Sequence, residues 1–185
     1  MHKKFPNFYH FVEDLNIKKI IKVDKKIAII YRNYKDELQV NKIIDFRNFC
    51  KKTRRIFLIS NNRELAFKLN LDGVYIPAFN KKIFNKYKGG KFITVGSAHT
   101  LKEIRIKEMQ KVEQIFISPI FKTNKSIKYL GLIKFNLLSK CTKKPIIALG
   151  GINEQNINKI KMTKSIGIAS ISYINRHNSF SKIRL

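Results

Sequence analysis

Several residue types are scarce in this chain of 185 residues, which has no tryptophan, two cysteines and four prolines. Cys50 and Cys141 stand alone, without Cys-x-x-Cys or Cys/His spacing, and this excludes a disulfide framework and a zinc site of ordinary spacing. No apolar run approaches the roughly 18 residues of a membrane span, and no apolar signal core follows residues 1–6. These absences predict a reduced, cytoplasmic protein with no membrane partner.

Acidic residues are also few, since 12 Asp and Glu stand against 39 Lys and Arg, for a formal net charge of +27. Such a field attracts polyanions, which makes nucleic acid a candidate partner. The excess is mostly lysine spread along the whole chain, and its longest cluster, residues 51–55, has no interleaved aromatic side chains for base stacking. That cluster follows a helical pattern, where we expect a solvated helix end. We therefore predict no specific nucleic-acid partner.

Short apolar runs of strand length alternate with longer amphipathic segments. Eight such runs lie at residues 8–12, 27–31, 56–60, 73–76, 92–96, 114–118, 145–149 and 167–171. The clearest helical patterns between them are residues 36–50 and 101–109. Parallel strands need long crossovers, and eight successive units are what a (β/α)8 barrel requires. The sequence predicts one α/β domain over residues 1–185, folded as a (β/α)8 TIM barrel.

The predicted barrel is trimmed, with short first and last helices. The segment between the first two strands is short, residues 80–88 form another short helical pattern, and only fourteen residues follow Ile171. The one loop long enough to be functional runs from Pro119 to Gly131, after the sixth strand. In a barrel such a loop lies at the active face, where the loops after the strands gather. Assembly into a homo-oligomer is left open.

Six motifs, in this order, resemble the thiamine phosphate synthase and TenI family. They are residues 58–63 (LISNNR), 71–76 (LDGVYI), 96–100 (GSAHT), 118–123 (SPIFKT), 148–152 (ALGGI) and 167–172 (GIASIS). The resemblance covers about residues 27–174 and also implies a TIM barrel. It implies a synthase that joins hydroxymethylpyrimidine pyrophosphate to thiazole phosphate, releases pyrophosphate and uses magnesium.

A phosphate site is predicted after the seventh and eighth strands, where barrels often bind this group. Gly150 and Gly151 follow the seventh strand, and glycines let backbone N–H groups approach an anion. Ser172 lies just past the eighth strand and adds a hydroxyl. The resemblance places the thiazole phosphate on this glycine pair and on Ile171 and Ser172. The alternative is that the glycines only turn the chain before a helix starting near Asn153.

The resemblance implies contacts to the diphosphate from four further residues. These are Arg32, Asn61, Ser97 and Lys125, of which Arg32, Ser97 and Lys125 are the predicted catalytic residues, while Thr123 matches a threonine near the thiazole. A guanidinium fork suits two phosphate oxygens at once. The alternatives are a surface arginine, an asparagine that caps a helix, and a solvated lysine.

Four positions depart from the family pattern. Asn62 and Asn80 stand where the family has metal-binding aspartates, and magnesium prefers anionic oxygen ligands, so we predict weaker magnesium binding here. Ile30 replaces the glutamine that reads the pyrimidine, and Tyr34 replaces a lysine. The loss of a hydrogen-bond partner and of a charge predicts relaxed or changed recognition of the first substrate.

Three other residues of the motifs are expected to have structural roles. We expect His99 to pack against or cap a helix start, although an imidazole near a phosphate can also act as an acid or base. Asp72 comes at the start of the fourth strand, away from the active face, so it should cap or turn the chain. Pro119 stands where the TenI branch that tautomerises thiazole has its histidine, which argues against that chemistry.

The sequence therefore predicts a divergent thiamine phosphate synthase whose partners are small phosphorylated substrates. The alternative is a noncatalytic or TenI-like barrel that binds thiazole phosphate, or another phosphorylated metabolite, through Gly150, Gly151 and Ser172. A third interpretation, a nucleic-acid binder, predicts tight association with a steep salt dependence.

Overall fold

Eight parallel strands close into a barrel in the computed structural model, which describes residues 5–34, 38–84, 92–124 and 127–176. The strands are β1 (Phe8–Val12), β2 (Ala28–Tyr31), β3 (Phe57–Ser60), β4 (Gly73–Ile76), β5 (Ile93–Ala98), β6 (Gln114–Ile117), β7 (Ile146–Leu149) and β8 (Ser165–Ser170). Each pairs with the next in the chain, and β8 pairs with β1. The first and last residues of every strand lie within two residues of the ends of one of the eight apolar runs predicted from the sequence. The (β/α)8 prediction is confirmed.

Helices cover the outside of this sheet. They are α1 (Ile17–Ile20), α2 (Val40–Lys52), α3 (Arg63–Lys68), α4 (Leu101–Met109), α5 (Gly131–Lys140), a 3₁₀ helix (Ile157–Met162) and α6 (Ser172–Arg176). The first helix is short, as predicted, with four residues. The last has five within the described part of the chain. Among the helices of the described residues, none is long and apolar enough to cross a bilayer.

Two helix predictions were wrong in detail, because asparagine side chains bond to nearby backbone there. After β7 a 3₁₀ helix forms in place of an α-helix from Asn153, whose amide oxygen accepts from the backbone N–H of Gln155 and of Asn156. After β4 the residues up to 84 are not helical, and the amide oxygen of Asn80 accepts from the backbone N–H of Lys82. Such local bonds compete with helical ones.

Large aromatic side chains fill the inside of the barrel. Phe11 packs edge-on against Tyr75 with ring centroids 5.0 Å apart, and Tyr9 lies 4.8 Å from Phe116. Phe116 also contacts Tyr75, with centroids 5.7 Å apart. These four rings are almost fully buried. The barrel interior is therefore a packed core and not a channel, so a ligand must bind at one of its ends.

The amino-terminal end of the barrel is closed by polar contacts. The hydroxyl of Tyr9 donates to the side-chain oxygen of Gln114, whose amide donates to the carbonyl of Pro6 over 3.0 Å. Asp72 also lies at this end, where its carboxylate accepts from the backbone N–H of Phe57 over 2.8 Å. Burial raises the pKa of Asp72. Asp72 is thus a structural acid away from the active face, as expected.

The basic cluster at residues 51–55 is only partly solvated. Helix α2 ends at Lys52, and Arg54 takes a positive φ of 56° as the chain turns away. Both residues are exposed, as predicted for a helix end. Arg55 is buried instead, and its guanidinium donates to the carbonyl of Val23 over 2.6 Å. One member of the cluster therefore fastens the chain before β3 to the loop after α1.

Both cysteines are free thiols. Cys50 is buried on the inner face of α2, and burial raises its pKa to about 12, so the thiol stays protonated at neutral pH. Cys141 is half-buried just after α5. A protonated, buried thiol is a poor nucleophile.

Candidate active site

The carboxyl ends of all eight strands meet at one rim of the barrel, here called the carboxyl-terminal rim, because the strands are parallel and the sheet is closed. Ten of the eleven predicted site residues lie in or next to the segments that leave the strands there: Arg32, Asn61, Asn62, Asn80, Ser97, Thr123, Gly150, Gly151, Ile171 and Ser172. Lys125, the eleventh, lies outside the described residues. The fold thus brings the predicted residues to the same end of the molecule.

Arg32 follows β2 and is held over the core of the barrel. Its backbone N–H donates to the carbonyl of Val12 over 2.8 Å, which extends the pairing of β2 with β1. Its guanidinium carbon lies 5.0 Å from the centroid of the Phe11 ring, and one terminal nitrogen is 3.7 Å from the carboxylate of Glu13. The Glu13 side chain is largely exposed, so this ion pair is weak. Arg32 therefore offers a positioned cation at the rim.

Tyr34 contacts the ends of two neighbouring strands. Its hydroxyl lies 2.5 Å from the hydroxyl of Ser60 at the end of β3, and its ring packs edge-on against Phe79 with centroids 5.9 Å apart. Partial burial raises the pKa of Tyr34, although the Ser60 bond and the Arg32 charge oppose this shift. Tyr34 is therefore neutral at physiological pH. It supplies a hydroxyl and an aromatic edge where the family pattern has a lysine charge.

Three asparagines lie side by side where β3 and β4 end. The amide nitrogen of Asn80 donates to the amide oxygen of Asn61 over 2.7 Å. The oxygen of Asn80 accepts from the backbone N–H of Lys82, and the oxygen of Asn62 accepts from that of Leu65, which caps α3. Each of the three amide oxygens therefore accepts one hydrogen bond from the protein.

This set of donors does not fit a magnesium ion. The side chains at Asn62 and Asn80 are neutral, and their oxygens already accept hydrogen bonds. Magnesium prefers anionic oxygens in near-octahedral geometry. Among the residues that the structure describes, no group of three or more His, Cys, Asp and Glu side chains is placed to hold a metal. The resemblance alone supports the magnesium prediction.

A buried lysine holds the loop that carries Asn80. Lys107 of α4 has no exposed surface, and its ammonium donates to the carbonyls of Pro77 and Asn80, over 2.8 and 3.0 Å, and to the side-chain oxygen of Gln110 over 2.8 Å. Gln110 in turn donates to the carbonyls of Asn80 and Lys82. Three acceptors thus use all three hydrogens of the ammonium, and these bonds tie the loop to α4.

Sequence reasoning missed Lys107, although two features of the sequence point to it. Lys107 follows the buried Ile104 at helical spacing, so a charge stands on the apolar face of α4. Gly96 in β5 makes room for its stem, since a Cβ there would lie 2.8 Å from the Lys107 Cδ. A charge on a buried face needs partners, and these turn out to be the carbonyls of the loop.

The charge of Lys107 makes the stability of the fold depend on pH. Burial lowers its pKa from 10.5 to about 8, so folding releases a proton between these two values. The cost of burying the charge is fully present below the folded pKa and is relieved as the pH rises. The free energy of unfolding should therefore rise with pH between about 8 and 10.5 relative to a Lys107→Met variant. Denaturant titrations of both proteins across this range measure the difference, and a constant or falling difference would contradict the assignment.

Ser97 points into the barrel just below the rim. It is buried, and its hydroxyl oxygen accepts from the Tyr75 hydroxyl over 2.8 Å. Burial raises the pKa of Tyr75 to about 12, so the phenol keeps its hydrogen and remains a donor. The hydrogen of Ser97 is then left for another acceptor. Ser97 is thus oriented as a hydrogen-bond donor.

His99 makes structural hydrogen bonds at the start of α4, as expected from the sequence. Its backbone N–H donates to the carboxylate of Glu103 over 2.6 Å, while Thr100 accepts from the backbone N–H of Glu103. The ring nitrogen Nδ1 of His99 lies 2.7 Å from the carbonyl of Ser118. Because a carbonyl only accepts, Nδ1 carries a hydrogen. Thr100 is therefore the residue that caps α4, and His99 has a structural role at the helix start, where its ring contacts the carbonyl of Ser118 just after β6.

The glycine pair after β7 packs against the loop that follows β6. Gly150 and Gly151 take positive φ values of 95° and 71°. A Cβ on Gly151 would lie 2.3 Å from the carbonyl oxygen of Lys122, and one on Gly150 would lie 2.8 Å from the Pro119 Cβ. This close contact explains by itself why glycines are needed, as the alternative interpretation held. It also places the half-buried Thr123 next to the turn.

The same turn nevertheless offers donors to an anion. Within the described ranges, no oxygen accepts a hydrogen bond from the backbone N–H of Gly150 or Gly151. Ile171 and Ser172 are exposed on the neighbouring segment after β8, where Ser170 caps the turn by accepting from the backbone N–H of Tyr173 over 3.1 Å. Phosphate binding at Gly150, Gly151, Ile171 and Ser172 stays a prediction that this geometry permits.

Replacing Gly151 by alanine should lower the free energy of unfolding by about 3 kcal/mol, because strained backbone and overlap with the Lys122 carbonyl add together. Gly131 provides the matched control. It has a similar φ of 68°, but nothing lies within 4 Å of its Cβ position, so alanine there should cost about 1 kcal/mol. Denaturant unfolding measures both, and equal losses would show that the loop contact is unimportant.

Comparisons with known proteins show which family the chain resembles. A family model described as thiamine monophosphate synthase matches residues 16–174. The thiamine-phosphate synthase of Prochlorococcus marinus is 32% identical over 144 residues, which make up 76% of this chain and 41% of that protein. The thiamine-phosphate synthase of Methanococcus vannielii is 27% identical over 122 residues, or 64% of this chain and 59% of that protein. The matches thus span about half the length of these two relatives.

Solved structures share the fold. A thiamine phosphate pyrophosphorylase from Pyrococcus furiosus superposes with a TM-score of 0.72, and the match covers 92% of this chain and 88% of that one. The sequence identity is 19%, so this likeness shows the fold alone.

Proposed function

This chain belongs to the thiamine monophosphate synthase family, and from that premise we propose that it is a divergent thiamine phosphate synthase. It joins hydroxymethylpyrimidine pyrophosphate to thiazole phosphate and releases pyrophosphate. The observation that carries the proposal is the shared rim. Arg32, Asn61 and Ser97 leave the strands at the same end of the closed barrel as the glycine turn at Gly150 and Gly151.

The proposed reaction breaks the bond between the pyrimidine methylene carbon and the diphosphate oxygen. The diphosphate leaves with the electron pair, and the thiazole nitrogen then donates its lone pair to the resulting cation, which forms the new C–N bond. Charge grows on the departing oxygens, so fixed positive groups and hydrogen-bond donors stabilise the transition state. Arg32 supplies the charge, and the Ser97 hydroxyl, oriented by Tyr75, supplies a donor.

The thiazole phosphate is proposed to bind on the other side of the rim. The backbone N–H groups of Gly150 and Gly151 and the hydroxyl of Ser172 face no competing acceptor in the part of the chain that is described. Donors of this kind suit a phosphate after the last two strands of a barrel. Thr123 adds a hydroxyl from the neighbouring loop.

Recognition of the pyrimidine is proposed to differ from that of the family. Ile30 is fully buried inside the barrel and has no polar atom to read an amino group on the ring. Tyr34 and Phe79 instead present aromatic surface at the mouth of the site. The loss of a directional contact relaxes discrimination between related rings.

A noncatalytic barrel that binds thiazole phosphate is the second candidate. The observation that favours it is the pair of amides at Asn62 and Asn80, whose oxygens are used within the protein. Incubating the purified chain with both substrates separates the two functions. Thiamine phosphate above background supports the synthase, whereas binding of thiazole phosphate without product supports the noncatalytic barrel.

Small phosphorylated substrates are the proposed partners, and the free cysteines support a cytoplasmic location. The net charge of +27 attracts anionic substrates in general. If nucleic acid were the true partner, tight binding would persist at physiological salt. We expect any such association to disappear there.

A further inference from the structure

We infer that His10 is a positioning residue for the thiazole-phosphate site, because it holds the segment that carries Ile171 and Ser172. This inference rests on the proposed function, since it explains how the binding site of one of the two proposed substrates is kept in place. His10 lies on β1, 160 residues before Ser170, and takes no part in the proposed reaction.

His10 is a polar side chain on an otherwise apolar face of its strand. Tyr9 and Phe11 belong to the core inside the barrel. Because side chains alternate along a strand, His10 points to the other face with Phe8 and Val12, which belong to the core between the sheet and the helices. Only 1% of its surface is exposed. A buried polar group costs free energy unless it is hydrogen-bonded, so the imidazole at this position requires partners.

The partners of His10 lie at the two ends of one short segment. The ring nitrogen Nδ1 is 3.2 Å from the carbonyl oxygen of Ser170 and, since a carbonyl only accepts, Nδ1 donates this bond. The ring also makes a side-chain hydrogen bond with Asn175 of α6. Burial lowers the pKa of His10, so the ring is neutral at physiological pH. These two bonds, here called the His10 bridge, join β1 to both ends of residues 170–175.

The His10 bridge lies where the pairing of β1 with β8 ends. His10 and Ser170 are the last two residues of this pairing at the carboxyl-terminal rim. The chain then turns, and the hydroxyl oxygen of Ser170 accepts from the backbone N–H of Tyr173 over 3.1 Å. Ile171 and Ser172 are exposed on this turn, between the two contacts of His10. The place of the Ser172 hydroxyl at the rim therefore depends on the bridge.

Correct spacing of two segments is what the proposed phosphate site requires. Its donors come from the turn at Gly150 and Gly151 after β7 and from Ser172 after β8. The glycine turn is held by its close contact with the loop after β6, and the His10 bridge holds the other side. A small displacement of one group weakens a site built from several groups. Loss of the bridge should therefore weaken the binding of thiazole phosphate and spare that of pyrophosphate, whose proposed contacts follow β2, β3 and β5.

Titration calorimetry with thiazole phosphate, and separately with inorganic pyrophosphate and magnesium, tests the inference without a need for turnover. Leucine suits the apolar face of β1 and removes both hydrogen bonds, so His10→Leu should raise the Kd for thiazole phosphate by about tenfold. The Kd for pyrophosphate should stay within about twofold of the native value, whereas general loosening of the fold would raise both constants. His10→Asn keeps an N–H donor near the position of Nδ1, so its Kd for thiazole phosphate should rise by only about threefold.

A second variant removes the other end of the bridge. Asn175 is an exposed residue of α6, so Asn175→Ala should fold, and its Kd for thiazole phosphate should rise by about threefold. In the His10→Leu background the same substitution should have no further effect, because the bond is already lost. Phe46→Leu is the matched control. It shortens a buried ring on α2, which lowers the melting temperature, but it should leave the Kd for thiazole phosphate within about twofold of the native value.

The outcomes separate the inference from the proposed function. Unchanged affinity of His10→Leu for thiazole phosphate, or an equal loss for both ligands, overturns the inference even if the native chain forms thiamine phosphate. A native chain that does not bind thiazole phosphate overturns it as well. Selective loss of thiazole-phosphate binding in His10→Leu, without product from the native chain and both substrates, keeps the inference and overturns the synthase.

Discussion

Replacing Arg32 by glutamine is expected to lower kcat/KM for thiamine phosphate formation by about a hundred- to a thousandfold. The guanidinium is fixed over the Phe11 ring, at the end of β2. In the proposed reaction it stabilises the charge that develops on the departing diphosphate. Glutamine keeps part of the side-chain volume and removes the charge. The kcat/KM of Arg32→Lys should lie between those of the native protein and Arg32→Gln, because lysine keeps the charge but loses the bidentate fork.

Arg54→Gln is the matched control for this prediction. Arg54 is exposed in the turn after α2, which leads into the amino-terminal end of β3 and so lies at the opposite end of the barrel. Arg54→Gln lowers the net charge of the protein by the same amount as Arg32→Gln. Its kcat/KM should stay within about twofold of the native value. An Arg32→Gln variant that behaves like the control would remove Arg32 from the site.

Replacing Lys107 by methionine is expected to lower the free energy of unfolding by about 3 kcal/mol or more. Methionine fills most of the space of the lysine stem but removes three hydrogen bonds from the ammonium, to the carbonyls of Pro77 and Asn80 and to the Gln110 side-chain oxygen. A hydrogen bond to a charged group contributes about 1.5–3 kcal/mol, and the two carbonyls each keep one other donor after the substitution. Urea unfolding measures the loss.

Lys107 also has an expected effect on binding, which a merely stabilising residue would lack. Loss of the clamp frees the loop that carries Asn80, whose amide donates to Asn61, a predicted diphosphate contact. Pyrophosphate affinity should therefore fall by about tenfold at temperatures where the variant is still folded. Lys102→Met changes an exposed lysine on the same helix and should alter stability by less than about 0.5 kcal/mol. Equal effects of the two substitutions would show that the clamp is unimportant.

The strand order of the barrel could be predicted from the sequence because it depends on local patterns. Buried parallel strands read as short apolar runs, and their crossovers read as amphipathic segments. The runs at residues 8–12 and 73–76 match β1 and β4 in both bounds. The structural role of His99 at the start of α4 was also predictable, since Thr100 and Glu103 after it have the spacing of a capping box.

The electrostatics of the site could not be predicted in the same way, because they depend on contacts between distant segments. Asn61 and Asn80 are 19 residues apart, and the Lys107 ammonium reaches back 30 residues to Pro77. Single-residue matching to the family pattern showed that the aspartates were replaced. It could not show that Asn80 donates to Asn61, or that the oxygens of Asn62 and Asn80 accept from backbone N–H groups.

Soaking crystals of the protein with thiamine phosphate and pyrophosphate tests the central claim most directly. The account predicts pyrophosphate within hydrogen-bond distance of Arg32, and the phosphate of the other ligand on the backbone N–H groups of Gly150 and Gly151, both at the carboxyl-terminal rim. Ligands bound only at the opposite end, in the cavity lined by Lys25, Lys26 and Arg54, would contradict it.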